Sequence, residues 1–221
     1  MTSHPPDIYD KIASKYDSFY QDAKSYREDN IVSHIMASHG IGTGVVVDVG
    51  CGPGHSIRLL DFDPNDYIGV DPSCGMLAKA RCSFPEHYFK RGTAESIPVK
   101  DPVDSIIATF GSFSYCPRPV DAVEEMHRCL KPGGKLAVMA YSDKNEGGLI
   151  LQSEGLIANR HLYTANSLKS LFSSKFENVK VYGVRASSSP FMWVDYLIGK
   201  WFPSMCTHLI VTATKGGSNA A

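Results

Sequence analysis

The chain has 221 residues, which suits one α/β domain with a core of its own. It is 43% hydrophobic and 20% charged, with a formal net charge of -1. Because it has no basic surplus and no apolar run near the roughly 20 residues of a membrane span, neither a nucleic-acid nor a membrane partner is expected. The start lacks a signal-peptide pattern and the six cysteines form no C-x-x-C pair, so free thiols and a cytoplasmic location are expected.

Two helices are predicted ahead of the first strand. Between residues 7 and 20 the apolar and aromatic side chains recur at helical spacing, and four apolar residues between 31 and 36 share one face of a second helix. Glycines then interrupt the chain. The aromatic stripe of the first helix either packs onto the domain or covers a ligand, and phenol rings would suit a cationic one.

A short apolar run, Val45 to Val49, predicts a strand that is buried on both faces of a parallel sheet. The sequence G-C-G-P-G follows at 50–54, and a helix is predicted from Ser56. The third glycine comes one residue earlier than in the dinucleotide-binding G-x-G-x-x-G pattern, and Pro53 has no amide hydrogen. Asp48, two residues before the turn, brings negative charge toward the ligand. The turn therefore favours a ligand with an ammonium group and no phosphate, such as S-adenosylmethionine.

The segment D-V-G-C-G-P-G at 48–54 resembles the first motif of class I S-adenosylmethionine-dependent methyltransferases. The nearest subgroup includes the ubiquinone/menaquinone-biosynthesis enzymes and many small-molecule methyltransferases. Later segments resemble the same family in the same order, at 71–80, 92–98 and 124–134, and Y-D-x-x-A-x-x-Y-D at 9–17 resembles its N-terminal lid. One departure is Thr93, which stands where the family usually has an acid.

The resemblance implies a doubly wound, Rossmann-like α/β fold under a helical lid. Its seven-stranded sheet has the order 3-2-1-4-5-7-6, with strand seven antiparallel. After the first strand, the predicted strands are Tyr67–Asp71, His87–Gly92, Asp104–Phe110, Lys135–Ala140, Glu177–Arg185 and Thr207–Lys215, with a helix over Ala165–Phe172 capped by Thr164. A single methyltransferase domain is expected over 1–221, divided into the lid (1–43), the cofactor-binding half (44–141), the acceptor-side half (142–215) and a tail (216–221).

The cofactor is expected along the first half of the sheet. Asp71 ends the second predicted strand about 20 residues after the first glycine, where a carboxylate accepts hydrogen bonds from ribose hydroxyls. A plain helix cap is the alternative role. By the resemblance, Met76 walls the adenine slot and the segment at Thr93 meets the adenine. The expected cofactor contacts are Tyr9, Tyr16, Asp48, Gly50, Cys51, Gly52, Gly54, Asp71, Pro72, Met76, Thr93, Ala94, Glu95, Thr109 and Phe110.

The acceptor is expected beside the loop after the fourth strand, because ligands bind outside the carboxyl ends of open α/β sheets. The expected acceptor contacts are Tyr20, Phe113, Tyr115, Tyr141, Phe191 and Trp193. Phe191 and Trp193 belong to the aromatic segment 187–206, which either lines an acceptor pocket or forms a homodimer face. In-line displacement at the sulfonium methyl needs no enzyme nucleophile, but a base helps a hydroxyl or acidic-carbon acceptor. The leading candidates for that catalytic role are Tyr16 and His161, with Tyr20 and His55 behind them.

These features predict an enzyme that transfers a methyl group from S-adenosylmethionine to an O, N or C atom of a small, partly apolar or aromatic acceptor. No acid cluster for a divalent metal follows the fourth strand, so no metal is expected. A protein or RNA methyltransferase is one alternative. A methyltransferase-fold subunit that only binds a partner is another.

Overall fold

The computed structural model describes residues 5–20, 23–145, 160–184 and 192–217, with backbone alone at 5–7, 17–20, 23, 24 and 192. Within these ranges one mixed sheet of seven strands forms the centre of the molecule. Its strands are β1 (Val46–Val49), β2 (Tyr67–Asp71), β3 (Tyr88–Arg91), β4 (Val103–Ala108), β5 (Leu130–Tyr141), β6 (Glu177–Val184) and β7 (His208–Thr214). The order is β3-β2-β1-β4-β5-β7-β6, and β7 runs antiparallel to both of its neighbours. The predicted fold class and strand order are confirmed.

Helices cover both faces of the sheet. They are α1 (Pro5–Ile12), α2 (Ala23–Ser38), α3 (His55–Leu60), α4 (Cys74–Ser83), α5 (Pro119–Cys129), α6 (Ala165–Ser173) and α7 (Met192–Trp201). Successive strand residues point to opposite faces. Val47 of β1 therefore packs in the core under α5 and α6, whereas Val46 packs in the core under α2. Burial on both faces explains why β1 is apolar except for a single acid.

Several predicted boundaries shift because tertiary hydrogen bonds decide where an element ends. The first predicted helix changes at Ala13 into a 3₁₀ helix that runs to Tyr20, and the Ala13 carbonyl accepts a hydrogen bond from Lys79 Nζ at 3.0 Å. Strand β5 begins at Leu130, five residues before the predicted start, because Leu130 pairs with Val103 of β4. The predicted cap of α6 is confirmed: Thr164 and Ser167 form a reciprocal capping box.

None of the six cysteines is in a disulfide. Among the described helices, none combines the length and the apolar character that a membrane crossing requires.

Candidate active site

A cavity of about 330 Å³ lies outside the carboxyl ends of β1, β2 and β4. Its walls come from the lid, the glycine turn, the end of β2, the segment after β3 and the loop after β4. This is the edge at which open α/β sheets bind ligands, and the volume falls in the range of small-molecule sites. Of the expected cofactor contacts, those that line it are Tyr9, Tyr16, Gly50, Cys51, Gly52, Asp71, Pro72, Met76, Thr93, Ala94, Glu95, Thr109 and Phe110.

The backbone amides of the glycine turn at 50–54 all donate hydrogen bonds within the protein. The amides of residues 50 and 51 donate to the Val70 carbonyl at 2.7 and 3.1 Å. The Gly52 amide donates to Asp71 Oδ2 at 2.9 Å, and the amide of residue 54 donates to the Cys51 carbonyl at 3.0 Å. The remaining residue is a proline, which has no amide hydrogen. The turn therefore presents no backbone donor of the kind that holds a pyrophosphate in dinucleotide-binding proteins.

The three glycines of this turn meet different surroundings. A Cβ on Gly50 would lie 2.5 Å from Ser112 Cβ, so Gly50 lets the turn approach the loop after β4. A Cβ on Gly52 would meet no atom within 4 Å, although its φ is +54°. A Cβ on Gly54 would lie 2.7 Å from the Phe84 ring, and Gly54 does not line the cavity. Gly52 thus opens the space in which a ligand fits, whereas Gly54 serves packing, contrary to its expected ligand role.

Asp71 stands at the junction of the turn and α4. Its Oδ2 accepts the Gly52 amide at 2.9 Å and its Oδ1 accepts the Ser73 amide at 2.8 Å. Burial is the main cause that raises the pKa of Asp71 to about 6. Each carboxylate oxygen has a second lone pair, so both can still accept a hydroxyl hydrogen from the cavity. The helix cap is supplied by Ser73, whose Oγ accepts the Met76 amide, which leaves Asp71 available to a ribose.

Asp48 does not line the cavity, which corrects its expected role as a direct cofactor contact. Its carboxylate is buried on β1, where Oδ2 accepts hydrogen bonds from Ser56 of α3 and from Tyr67 of β2, the latter at 2.8 Å. Its Oδ1 has no hydrogen-bond partner within the described ranges. Burial, as the largest cause, raises the pKa of Asp48 to about 6. Asp48 therefore joins α3 to the sheet behind the glycine turn.

The raised pKa of Asp48 predicts a pH-dependent cost of folding. Because this pKa is higher in the folded state than in the unfolded chain, its stabilising contribution is fully present below about pH 4 and is lost as the pH rises through about 6. Asparagine does not ionise, so Asp48→Asn avoids this loss. We expect the unfolding free energy of the variant minus that of the unsubstituted protein to rise by about 1–2 kcal/mol from pH 5 to pH 7.5. Urea unfolding of both proteins at the two pH values measures this difference, and a pH-independent difference would contradict it.

The lid places tyrosine rings over the cavity. The Tyr9 ring lies between those of Tyr16 and Tyr115, with centroid distances of 6.2 and 5.8 Å. Ile12 and Met76 pack together beneath these rings. Aromatic faces attract cations, so this cluster suits a sulfonium group. The side chain of Tyr20, also expected here, lies outside the described residues.

Asp10 connects the lid to the segment that follows β2 at the cavity. Its Oδ1 accepts hydrogen bonds from Ser73 Oγ at 2.5 Å and from the Gly75 amide at 2.7 Å. A Cβ on Gly75 would lie 3.1–3.2 Å from Asp10, so glycine makes room for this contact. Since Ser73 also donates its amide to Asp71, one residue connects the lid with the strand-end carboxylate.

Asp10→Ala should release the lid. We expect S-adenosylhomocysteine to bind about 3–30 times more weakly, as for the loss of a helix-capping carboxylate, and the lid to be cleaved faster by protease. Calorimetry and limited proteolysis with and without the ligand measure the two effects. Asp121→Ala removes an exposed acid from the first turn of another helix, α5, and should change neither. Equal behaviour of the two variants would show that Asp10 does not hold the lid.

The segment after β3 closes the cavity beside Thr93. A tight turn joins Thr93 to Ser96 through two backbone hydrogen bonds of 3.3 and 3.2 Å. Glu95 Oε1 accepts the Arg118 amide at 3.2 Å and thereby caps the start of α5, while the Cys116 thiol lies 3.2 Å from the same oxygen. Glu95 therefore fixes the loop after β4 against this segment as well as lining the cavity.

The residues expected to contact the acceptor separate into two groups. Phe113 and Tyr115 line the cavity, together with Phe110, whose φ of +58° ends β4 earlier than predicted. Tyr141 is buried behind Tyr115, with ring centroids 6.1 Å apart, and does not reach the cavity wall.

Two other expected site residues lie away from this cavity. His161 is exposed, and its backbone amide donates to the Ser114 carbonyl. Trp193 is 61% exposed on α7, which packs against α2 and β6 and not at the cavity. Phe191 lies outside the described residues.

Sequence reasoning missed several lining residues in the loop after β4. Ser112, Cys116 and Pro117 line the cavity only because the loop after β4 folds back against the turn. Their position just beyond the fourth strand was the available signal, since the residue types themselves carry none. His55, a secondary candidate, does line the cavity and forms a 2.9 Å contact with Asp29.

The cavity suits a nucleoside that bears positive charge. Its turn offers no phosphate donors, the Asp71 carboxylate stands at the end of β2, and the space over Gly52 is open. In a sheet of this order, these properties are the ones expected of an α/β protein that binds S-adenosylmethionine.

Comparison with known proteins agrees. Residues 47–138 match the family described as a methyltransferase domain. An uncharacterised methyltransferase of Schizosaccharomyces pombe is 26% identical over 211 residues, covering 86% of this chain and 76% of that protein. A ubiquinone/menaquinone biosynthesis C-methyltransferase of Campylobacter jejuni is 29% identical over 145 residues, covering 62% and 59% of the two chains.

A crystal structure of a Thermotoga maritima S-adenosylmethionine-dependent methyltransferase has the same fold, with a TM-score of 0.67 at 21% identity and coverage of 95% and 98%. The chain is therefore similar to S-adenosylmethionine-dependent methyltransferases in its matched domain and in its fold, and S-adenosylmethionine is the cofactor that these similarities indicate.

Proposed function

We propose that this protein transfers the methyl group of S-adenosylmethionine to an O, N or C atom of a small, partly apolar acceptor. The observation that carries the proposal is the pairing of an internally satisfied glycine turn with the Asp71 carboxylate at the cavity. The Campylobacter relative is a methyltransferase of ubiquinone/menaquinone biosynthesis, which supports a small-molecule acceptor. A cytoplasmic location is part of the proposal, in keeping with six unpaired cysteines.

When bound, the cofactor supplies an electrophilic methyl group on a cationic sulfur. The task of the protein is therefore orientation, and an aligned arrangement can lower the barrier by as much as about 7–11 kcal/mol. Asp71 accepts the ribose hydroxyls, and Met76 with the Thr93 segment holds the adenine. Tyr9 and Tyr16 cover the site from the lid, exclude water and present aromatic faces to positive charge.

The acceptor occupies the side of the cavity formed by the loop after β4. Phe110, Phe113 and Tyr115 give this side an aromatic wall, which suits a ring or another flat apolar group. Tyr16 touches the same space and remains a candidate to position the acceptor. His161 is not part of this proposal, because its ring is exposed and away from the cavity.

The deciding experiment identifies the methylated product. The purified protein is incubated with methyl-labelled S-adenosylmethionine and a metabolite extract, and the labelled molecule is identified by mass spectrometry. We expect label in a small molecule with an apolar or aromatic part. Label in the protein or RNA fraction would support the macromolecular alternative. Binding of nicotinamide dinucleotides without binding of S-adenosylmethionine would refute the proposal.

A further inference from the structure

His55 and Asp29 form a pair at the wall of the cavity. His55 is the first residue of α3 and lines the cavity, whereas Asp29 belongs to α2. His55 Nε2 lies 2.9 Å from Asp29 Oδ2, with the two side chains 28% and 11% exposed. The pair therefore combines a buried carboxylate with an imidazole that still reaches the ligand space.

The carboxylate determines which ring nitrogen carries hydrogen. An ionised carboxylate can only accept, so Nε2 of neutral His55 must be the protonated nitrogen and Nδ1 keeps its lone pair. Within the part of the chain that is described, Nδ1 has no hydrogen-bond partner. An imidazole nitrogen that has a lone pair and lies in a ligand cavity can accept a proton from a bound molecule.

A second contact fixes the plane of the ring. The Phe110 ring meets the His55 ring edge to face, with centroids 4.5 Å apart and an interplanar angle of 89°. Phe110 is a non-glycine residue with φ +58°, a conformation that costs energy and persists where the surroundings enforce it. His55 is thus held by Asp29 on one side and by the loop after β4, on the expected acceptor side, on the other.

We propose that His55 is the general base of the methyl transfer, that Asp29 is its positioning residue, and that the acceptor is a hydroxyl compound of phenol or enol type. The inference rests on the proposed function. In the step, the acceptor oxygen bonds to the methyl carbon while the carbon–sulfur bond breaks and its electron pair stays on sulfur. Nδ1 of His55 takes the hydroxyl proton and later releases it to solvent. A carboxylate acceptor has no such proton at neutral pH, and therefore needs no base.

The charges around the ring favour this transfer. Asp29 faces His55 from α2, and Asp48 interacts electrostatically with it from β1. On α3 itself the charged neighbour is Arg58, whose guanidinium lies over the Phe84 ring. Two carboxylates against one cation stabilise the imidazolium that forms when the proton arrives.

The first test needs no acceptor. Protein with ¹⁵N-labelled histidine is saturated with S-adenosylhomocysteine, and nitrogen chemical shifts give the tautomer of His55, assigned with the His55→Gln variant. We expect hydrogen on Nε2 in the unsubstituted protein and a larger share of the Nδ1-protonated tautomer in Asp29→Asn. A ligand-bound His55 with hydrogen on Nδ1, or a tautomer ratio that does not respond to Asp29→Asn, overturns the inference. Failure of S-adenosylhomocysteine to bind counts instead against the proposed function.

The second test uses the acceptor found by the labelling experiment. His55→Gln should lower kcat by about 10²–10⁴-fold, the usual contribution of a general base, while the cofactor Kd stays within about threefold. Asp29→Asn should also lower kcat with little change in the cofactor Kd, and Asp29→Glu should partly restore kcat. His127→Gln, on α5 away from the cavity, is the matched control and should retain full activity.

Either of two results would overturn the role of His55. One is an unchanged kcat in a folded His55→Gln variant. The other is a labelled product whose methyl group sits on nitrogen or on a carboxyl group while the enzyme remains active, because such an acceptor does not require the hydroxyl-directed base.

Discussion

Replacement of Asp71 by asparagine is expected to weaken the binding of S-adenosylmethionine and S-adenosylhomocysteine about 10–150-fold. The substitution keeps the shape of the side chain but removes the charge and one of the two acceptor oxygens, and a hydrogen bond to a charged group contributes about 1.5–3 kcal/mol. It also places an amide NH₂ against either the Gly52 or the Ser73 amide, so a small loss of stability accompanies it. Calorimetric titration and urea unfolding measure the two effects separately.

Asp104→Asn is a suitable control for this variant. Asp104 Oδ2 likewise accepts a backbone amide, that of Val45 just before the neighbouring strand β1, at 2.9 Å, and Lys131 donates to its other oxygen. It lies near the amino end of β4, at the edge of the sheet opposite the cavity. We expect Asp104→Asn to lose some stability and to bind the cofactor normally. Normal binding by Asp71→Asn as well would refute the ribose assignment.

Gly52→Val should abolish measurable cofactor binding. A valine Cβ at this position would meet no protein atom within 4 Å, so its methyl groups would extend into the space that the ligand needs. The backbone there has φ +54°, which a β-branched residue adopts at a cost of about 1–2 kcal/mol. The folded protein should therefore survive with reduced stability while its affinity falls by at least about 100-fold, as calorimetry would show.

Gly133→Val is a control that separates backbone strain from obstruction of the ligand space. Gly133 has φ +77°, and a Cβ there would also meet no atom within 4 Å, but it lies in the turn inside β5 and not at the cavity. The two valine variants should lose comparable stability, and only Gly52→Val should lose binding. If both bind the cofactor like the unsubstituted protein, the ligand does not pass over Gly52.

Most of the sheet could be predicted because its signals are local. Runs such as Val45–Val49 and Tyr67–Asp71 are short, largely apolar and bounded by turn residues, which is the composition expected of a strand buried on both faces. The ends of the elements were less accurate. Leu130 became part of β5 because Val103 pairs with it, and Phe110 left β4 because its backbone turns into the left-handed region. Neither contact is encoded in the neighbouring sequence.

The glycine turn shows how far motif reasoning reached. Its spacing and its proline indicated a ligand without phosphate, and the hydrogen bonds of its amides give the physical reason. The motif did not distinguish Asp48 from Asp71, since both are acids at the carboxyl end of a buried strand. The side-chain direction separates them: Asp48 turns toward Ser56 and Tyr67 inside the domain, whereas Asp71 faces the cavity.

By itself, the sequence determined the fold class, the strand order through its family resemblance, and the cofactor, because these depend on short segments with fixed spacing. Only the tertiary structure decided which side chains meet at the cavity. Asp10 and Ser73 are 63 residues apart, and Asp29 and His55 are 26 apart, so no local pattern links either pair. Such contacts depend on how helices pack across the sheet, which is set by the burial of whole faces and not by any one segment.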